Sequence, residues 1–433
     1  MDSIWPAGIE LPHFQSMDGS RTTDVLIIGG GMAGILCAYF LQQKGVDYML
    51  VEGRTICSGN TGNTTAKLTS QHGLIYTKLM KSVGRERAQM YLEANQNALR
   101  QYDALCTKIA CDFEVKPAYV YSLDDRGKLE EEVRTLETLG FHAELADTKE
   151  LPFPTAGAVV FEDQAQFHPL KFIAGIAGGL KIYENTFVQE LKPNTAVTAK
   201  GDISFQKVIF ATHFPVDNKH GMYFLKMYQN RSYVLALEHA AQVDGMYIDA
   251  AGDGLSFRNY QEYLLLGGGG RRTGKNGGNW QELRSFATRY YPSAKEKYYW
   301  AAQDCMTLDQ IPYIGQYSGS LPGCYVATGF NKWGMTSSMA AAMILTDLVL
   351  ERENPYAEVF QPSRSMLKPQ LLLNGWEAVT NLLTFSTRRC PHLGCALKWN
   401  GAEHSWDCPC HGSRFDETGV VLDNPANRKG ENL

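Results

Sequence analysis

The hydrophobic positions near the start of the chain follow a strand–helix–strand pattern. Residues 24–28 (DVLII) form an apolar, β-branched run, which is typical of a buried parallel strand. A helical pattern covers residues 35–44 and ends at Gly45, and a second apolar run occupies residues 48–51. This order predicts a βαβ unit.

Three glycines and one acidic residue indicate what the unit binds. Gly29, Gly31 and Gly34 form a G-x-G-x-x-G motif between the first strand and the helix, and Glu52 ends the second strand. The glycines allow a tight turn and close approach of the backbone to a pyrophosphate, and the helix N-terminus faces the charge of that group. The acid accepts hydrogen bonds from the ribose hydroxyls. Because strand, helix, second strand and acid occur together, we expect a dinucleotide cofactor.

Other patterns extend the fold beyond this unit. Helical patterns cover residues 85–106 and 128–139, and apolar strands return within residues 222–270. A second glycine-rich stretch, residues 267–270, has Arg272 where a third fingerprint glycine would stand. We therefore expect no second dinucleotide site, which counts against a reductase that uses NAD(P)H.

Two short clusters near the C-terminus carry metal-ligand chemistry. Cys390 and His392 form a C-x-H pair, Cys408 and His411 form a C-x-x-H pair, and 15 residues (393–407) separate the pairs. Two thiolates and two imidazoles are the ligands of a Rieske [2Fe–2S] centre, in which the cysteines hold one iron and the histidines the other.

Each cluster also contains one further cysteine, Cys395 or Cys410. Their positions resemble those at which many Rieske proteins form a disulfide between the two ligand loops, and the resemblance implies a Cys395–Cys410 disulfide. A Cys2His2 zinc site uses the same ligand types, but it would need neither this pair nor the Gly-Ser that follows His411. The sequence favours the iron–sulfur cluster, with zinc as the alternative.

Two residues after the last ligand bear on the cluster potential. High-potential Rieske relatives direct a hydroxyl, here that of Ser413, at a bridging sulfide, and two residues later they use a tyrosine that bonds a cysteine sulfur. This chain has Phe415 at that second position. Since hydrogen bonds to the sulfurs raise the potential, the resemblance implies a value below the top of the roughly −150 to +300 mV Rieske range.

Three segments join the glycine motif in one ordered set. They are residues 208–213 (VIFATH), 309–315 (DQIPYIG) and 329–336 (GFNKWGMT). Over about residues 20–350 the chain resembles the D-amino-acid-oxidase-like flavoprotein superfamily, which includes glycine, sarcosine and dimethylglycine oxidases. With the cysteine and histidine clusters added, it resembles a bacterial subgroup in which such a flavoprotein carries a C-terminal Rieske domain.

This resemblance implies FAD as the dinucleotide, with a helix N-terminus at the pyrimidine edge of the flavin. The residues expected to contact FAD are Gly29, Gly31, Gly34, Glu52, Thr64, Thr65, Ala66, Lys67, Val188, Ala211, Thr212, Asp309, Gly315, Gly329, Gly334, Met335 and Thr336.

The resemblance also implies an α/β fold class. We expect a Rossmann-like FAD-binding domain interleaved with an α+β substrate domain, plus a small C-terminal Rieske-type β module. The expected parts are FAD-binding segments at about 20–80, 155–215 and 300–360, substrate-domain segments at about 81–154 and 216–299, a linker at 361–375, and a minimal Rieske module at 376–433.

The Rieske module is short, because only residues 362–389 separate the flavoprotein body from Cys390. A unit of this size buries too little surface to be stable on its own. We expect it to pack on the body through the apolar residues 371–373, Trp376 and 382–383.

Candidates for the substrate site are Arg258, Tyr247 and His72. Arg258 lies in the strand region from which relatives project a carboxylate-binding arginine, and a surface strand arginine is the alternative. Tyr247 either lines the pocket or packs in the core or at its rim. His72 follows the expected flavin loop and is a candidate for contact with the isoalloxazine.

Composition narrows the possible partners and the location. A net charge of −5 argues against nucleic acid or an anionic membrane as a partner. No run reaches the roughly 20 apolar residues of a membrane span, and the N-terminus lacks the features of a secretory signal. Six of the ten cysteines are scattered outside the C-terminal clusters, which favours a reducing compartment, by default the cytoplasm.

The leading functional interpretation is a flavin-dependent dehydrogenase of a small-molecule amine or amino acid. FAD would take two electrons from the substrate, and the cluster would pass them singly to a ferredoxin-like or other one-electron partner. One alternative is a reductase that a ferredoxin-like donor feeds through the cluster. The other is a redox sensor or electron-transfer subunit without catalytic activity.

Overall fold

The computed structural model describes residues 2–217 and 220–430. The strands, numbered in chain order, are β1 (Arg21–Ile28), β2 (Tyr48–Val51), β3 (Lys67–Leu68), β4 (Glu114–Ser122), β5 (Glu144–Ala146), β6 (Gly157–Gln166), β7 (Ile182–Tyr183), β8 (Val188–Lys192), β9 (Thr195–Thr198), β10 (Gly201–Phe210), β11 (Met227–Glu238), β12 (Met246–Asp249), β13 (Ser256–Tyr260), β14 (Tyr263–Arg272), β15 (Lys295–Thr307), β16 (Tyr313–Gln316), β17 (Cys324–Thr328), β18 (Lys398–Asn400), β19 (Ser405–Asp407), β20 (Arg414–Phe415) and β21 (Val421–Asp423).

The helices are α1 (Met32–Gln43), α2 (Tyr76–Val83), α3 (Arg85–Cys106), α4 (Arg126–Thr138), α5 (Pro169–Ala177), α6 (Tyr223–Lys226), α7 (Trp280–Tyr290), α8 (Gly334–Val349), α9 (Ala357–Phe360) and α10 (Pro369–Leu383). Helices α3 and α4 form at the two stretches where the sequence predicts helix. In the described part of the chain, no helix combines the length and the apolar character that crossing a membrane requires.

The first sheet is built around the predicted βαβ unit. Its strand order is β16-β17-β10-β1-β2-β7, with the β8–β9 hairpin attached to β10. The strands from β17 to β7 run parallel, and β16 is antiparallel at the edge. Alternate residues of β1 serve two cores, since Val25 and Ile27 pack with α1 and α8 while Leu26 and Ile28 pack on the opposite side.

The second sheet has the strand order β15-β11-β14-β13-β12-β4-β6-β3, with β5 paired to β6. Strands β3 and β6 belong to it, although we expected both in FAD-binding segments. The reason is pairing, because β6 is hydrogen-bonded to β4 along most of its length and to β3 at its end. The α/β fold class with interleaved sheets is confirmed, and the second sheet takes in more of the chain than the expected segments allow.

The third sheet belongs to the Rieske module and contains β18-β19-β20-β21. None of these strands exceeds three residues. Its small core consists of the four C-terminal cysteines with Leu397, Phe415 and Ala426. So little buried apolar surface does not stabilise an independent domain, and the module is docked on the flavoprotein body. The last three residues of its expected range lie outside the described residues.

Helix α10 begins inside the expected linker and does not pack as we expected. Leu372, Leu373, Trp376, Leu382 and Leu383 are exposed, so the prediction that these apolar residues attach the module to the body is wrong. Polar groups make the attachment instead.

Glu403 is the centre of this polar attachment. Its carboxylate is fully buried and binds Arg231 of the body, whose Nε donates to Oε1 at 2.9 Å, and Arg414 of the module, whose Nη2 donates to Oε2 at 2.8 Å. Arg414 also binds Asp407 and Asp423 at 3.0 Å each. Burial would raise the pKa of Glu403, but the two guanidinium groups hold it below its usual value.

We predict that Glu403→Ala lowers the free energy of unfolding by about 3 to 5 kcal/mol, because it leaves buried guanidinium charge unpaired. Glu131→Ala, which breaks a pair with the exposed Lys81, should cost no more than about 1 kcal/mol. Urea titrations followed by far-UV circular dichroism compare the two. Equal effects would contradict the central role of Glu403.

The same contact should depend on pH. A carboxylate whose folded pKa lies below its unfolded value of 4.5 stabilises the fold fully above that pH and loses the contribution as the pH falls through the folded pKa. The stability difference between native protein and Glu403→Ala should therefore shrink below pH 4.5.

Candidate functional site

A cavity of about 630 Å³ opens at the carboxyl ends of β1, β2, β10 and β17. Strand β1 is paired with β2 on one side and with β10 on the other, so the order in which the strands were added to the sheet reverses direction at β1. Open α/β sheets bind their ligands at such a switch point. The cavity therefore lies where the fold predicts the dinucleotide.

The backbone packing beside the cavity requires glycine at two positions of the motif. Gly29 has φ +112°, and a Cβ there would lie 2.5 Å from the carbonyl oxygen of Ala211. A Cβ on Gly34 would overlap the carbonyl of Gly29. Glu52 accepts a hydrogen bond from the Gly30 amide at 2.7 Å, which fixes the acid at the cavity edge. The cradle fits a dinucleotide diphosphate and a ribose.

Ten of the expected FAD contacts line the cavity. They are Gly29, Gly31, Glu52, Thr64, Val188, Ala211, Thr212, Gly329, Gly334 and Met335. The structure places the other expected contacts outside the lining, and these are Gly34, Thr65, Ala66, Lys67, Asp309, Gly315 and Thr336.

The segment from Asp309 to Gly315 contacts the linker, residues 361–375. Asp309 pairs with Arg364 at 2.8 Å, and a Cβ on Gly315 would lie 3.2 Å from Pro362. The two guanidinium hydrogen bonds from Arg364 keep the pKa of Asp309 low despite its burial. These contacts anchor the chain where it leaves the body.

Arg258 is buried behind the loop that follows the cavity. Its Nη1 donates to the carbonyls of Thr65 and Ala66 at 2.8 Å each, and its guanidinium lies 5.6 Å from the ring of Trp5. Its Nη2 has no partner. Lys67 is buried nearby, and burial with the charge of Arg258 lowers its pKa to about 7. Arg258 thus holds the loop backbone.

His72 and Tyr247 also lie outside the cavity lining. The Nε2 of His72 donates to the carbonyl of Thr69 at 2.9 Å, and its Nδ1 accepts from the Tyr91 hydroxyl at 2.6 Å. Burial lowers the pKa of His72 to about 3. Tyr247 donates to Glu150 at 2.7 Å within the core of the second sheet. The structure does not bring the three substrate-site candidates together.

Other charged or titratable side chains do line the cavity, and His213, Asp304 and Lys332 are among them. Desolvation raises the pKa of the half-buried Asp304. Lys332 lies at the exposed rim, where its Nζ donates to the carbonyl of Gly252 at 3.0 Å. His213 has an Nε2 with no partner. His213 directly follows the Ala-Thr segment quoted from the sequence, and that adjacency is the signal that could have identified it.

The Rieske module completes the cavity wall. Residues 420–427 line it together with the body. The side-chain amide of Asn424 donates to the carbonyls of Thr212 and Phe214 at 2.8 and 2.7 Å. No motif in the sequence indicated this contact, because it joins segments more than 200 residues apart.

The four expected cluster ligands converge in the module. Cys390 and Cys408 are buried and hydrogen-bonded to each other, which lowers the pKa of Cys390 to about 7. The rings of His392 and His411 lie 4.9 Å apart. Both nitrogens of His392 and the Nδ1 of His411 are buried without a partner. Two thiols and two imidazoles, each with at least one nitrogen free, fit the ligand set of a [2Fe–2S] cluster.

The predicted Cys395–Cys410 disulfide is confirmed. These sulfurs and that of Cys408 lie within 4.8 Å of one another, but the disulfide withdraws two of the three as ligands. Ser413 is fully buried and hydrogen-bonded to Cys390, and Phe415 is buried in the module core.

The cluster ligands face the flavoprotein body. The ring of Phe214 lies 6.3 Å from His392, and that of Phe224 lies 6.1 Å from His411. Gln229 donates to the carbonyl of His411 at 2.9 Å. The segment from Thr212 to Phe214 therefore joins the cavity wall to a cluster ligand within one chain.

Comparisons with known proteins agree with this two-part site. A family model described as FAD dependent oxidoreductase matches residues 24–348, and a Rieske [2Fe-2S] domain model matches residues 376–432. YhfW of Bacillus subtilis (strain 168), described by its name as a Rieske 2Fe-2S iron-sulfur protein, is 34% identical over 98% of this chain and 96% of its own length.

Two further relatives cover the flavoprotein body. The gamma-glutamylputrescine oxidoreductase of Escherichia coli (strain K12) is 27% identical over 46% of this chain, and the match spans 50% of that protein. The glycine oxidase structure from Geobacillus kaustophilus has a TM-score of 0.67 at 18% identity, covering 80% of this chain and 100% of that one. The second likeness concerns the fold alone.

We predict that replacing any of Cys390, His392, Cys408 or His411 by alanine abolishes a cluster of two irons and two acid-labile sulfides per chain. Elemental analysis and electron paramagnetic resonance measure the loss. Cys324→Ala, which removes a thiol remote from the module, should leave the iron content unchanged. One zinc and no iron in the native protein would contradict the assignment.

We also predict opposite shifts of the cluster midpoint potential for two substitutions. Phe415→Tyr should raise it by adding a donor, and Ser413→Ala should lower it by removing one. Each 1.4 kcal/mol of preference for the reduced form corresponds to about 60 mV. Redox titration of the Rieske signal measures both, and an unchanged midpoint in Phe415→Tyr would refute the inference.

Proposed function

This chain belongs to the family of FAD-dependent oxidoreductases and carries a C-terminal Rieske domain, and we propose that it oxidises an amine or amino acid and releases the electrons singly to an external acceptor. FAD supplies two-electron chemistry and the [2Fe–2S] cluster one-electron chemistry. The described residues arrange the two sites within one chain.

The observation that carries the proposal is the short connection between the cavity and the cluster ligands. Thr212 lines the cavity, and two residues later Phe214 contacts the ring of His392. Asn424 binds the carbonyls on both sides of His213, which fixes this segment against the module. His411 is only 4% exposed, so the ligand edge faces the body.

The charges in the cavity favour a substrate that carries an amine. Asp304 offers a carboxylate to an ammonium group, and Lys332 offers an ammonium to a carboxylate. Asp304 is half-buried, where such contacts are stronger than in water, and Lys332 lies at the exposed rim of the cavity. The name of the Escherichia coli relative, gamma-glutamylputrescine oxidoreductase, supports the same substrate class. Positioning a C–H bond is the main task of the site, so it needs no dedicated base.

The proposal assigns roles to the chain's own residues. The ten cavity-lining contacts hold FAD, and Asp304 and Lys332 orient the substrate. A ferredoxin-like or other one-electron partner takes the electrons. The cytoplasm stays the predicted location.

We predict that anaerobic mixing with the correct amine or amino acid bleaches FAD and produces a reduced Rieske signal at the rate of turnover. Phe214→Leu should slow the appearance of the Rieske signal and leave FAD bleaching unchanged. Stopped-flow absorbance and rapid-freeze electron paramagnetic resonance measure the two steps separately.

Phe224→Leu is the matched control. Phe224 also contacts a cluster histidine, but it lies outside the short segment that joins the cavity wall at Thr212 to the cluster. The Rieske signal of this variant should therefore appear nearly as fast as that of the native protein. If FAD bleaches while the cluster stays oxidised for minutes, the cluster is structural or regulatory. If no amine or amino acid bleaches FAD, the reductase or the sensor replaces the proposal.

A further inference from the structure

Helix α10 presents its apolar side chains to solvent and its polar side chains to the protein. Asn374 and Asn381 are each 5% exposed, and Asn374 accepts a hydrogen bond from Arg272 at 2.9 Å. Leu372, Trp376 and Leu383 lie on the other side and are 78%, 71% and 81% exposed. This is the reverse of a helix that packs on a protein core.

The exposed residues continue beyond both ends of the helix. Leu367 is 86% and Phe385 is 95% exposed. We call the set Leu367, Leu372, Leu373, Trp376, Leu383 and Phe385 the apolar face. Contiguous apolar surface of this kind marks an interaction site, because leaving it in water is unfavourable.

Positive charge surrounds the apolar face. Residues 361–400 contain five basic side chains and one acidic one, Glu377, whereas the whole chain carries −5. Arg364 is paired with Asp309 and Glu377 with Lys275 of the body, which leaves Lys368, Arg388, Arg389 and Lys398 as the basic side chains of this segment. Among the described residues, no carboxylate lies within ion-pair distance of Lys368, Arg388 or Arg389, which flank the two ends of the helix.

We propose that the apolar face docks the protein on an anionic membrane surface. A helix with Trp, Leu and Phe on one side and basic residues at its borders lies in the plane of the lipid interface. The 15 residues of α10 give it a length of about 22 Å along that plane. Anionic headgroups match Lys368, Arg388 and Arg389.

A second copy of the chain fits the surface less well. A two-fold contact pairs the same patch on both copies. In either orientation of two α10 helices it would set Lys368, Arg388 and Arg389 beside like charges. The electrostatics therefore oppose a dimer and favour a negatively charged surface.

The charge around the apolar face differs in sign from the net charge of the chain. An overall −5 argued against an anionic membrane, but that average hides a local excess of positive charge around the apolar face.

Flotation of the complete holoprotein with lipid vesicles tests the proposal. We expect it to float with equimolar phosphatidylcholine and phosphatidylglycerol, and to bind phosphatidylcholine alone much more weakly. Leu372→Glu with Trp376→Glu should reduce binding by more than about tenfold. Arg388→Gln should weaken binding about fivefold, and only to the anionic vesicles.

Leu123→Glu is the matched control, because Leu123 is 54% exposed in a different part of the chain. It should bind as the native protein does. FAD absorbance and the Rieske signal check that each variant is folded, and Phe385→Glu, which lies outside the helix, is a second test if the double variant fails that check.

Three results would overturn the proposal. One is native protein that does not float with anionic vesicles. Another is double-variant protein that floats as well as the native. The third is a concentration-dependent dimer, seen by sedimentation velocity, that disappears in the double variant without any vesicle binding, since the apolar face would then belong to a second copy.

Discussion

A buried carboxylate shared by two arginines is the centre of the contact between the Rieske module and the flavoprotein body. Arg231 comes from the flavoprotein body and Arg414 from the module, and Glu403 satisfies both without access to solvent. Charges of this kind are costly to bury unless every partner is present, so the contact is formed only in one geometry. The hydrogen bonds of these charged groups are directional, so the contact orients the module on the body. It also leaves the apolar side chains of α10 free for another use.

The sequence predicts the parts of the site that depend on local geometry. Gly29 must be glycine because of its own φ and a neighbouring carbonyl, so the requirement is written into a few adjacent residues. The cluster ligands are equally local, since each loop brings a cysteine and a histidine within four positions. In both cases the chemistry restricts the residue type at each position.

Residues that distant segments bring together could not be predicted in the same way. Asp304 reaches the cavity from a strand of the second sheet, and Asn424 reaches it from the module. Neither belongs to a motif, because nothing in their immediate neighbours identifies the cavity. The packing of helix α10 was predicted wrongly for another reason. Its apolar residues suggested burial, but burial is decided by what the helix faces, and here it faces the body with asparagines.

The wall formed by residues 420–427 has a consequence for how the protein is made. These residues lie near the end of the chain and close the cavity that begins with Gly29. A ribosome therefore releases the last part of the cavity wall only after all the other parts have been synthesised. Because β20 and β21 hold that wall beside the cluster loops, the last residues of the cavity wall and the cluster ligands belong to one folded unit. The cavity is therefore complete only when this C-terminal module has folded against the flavoprotein body.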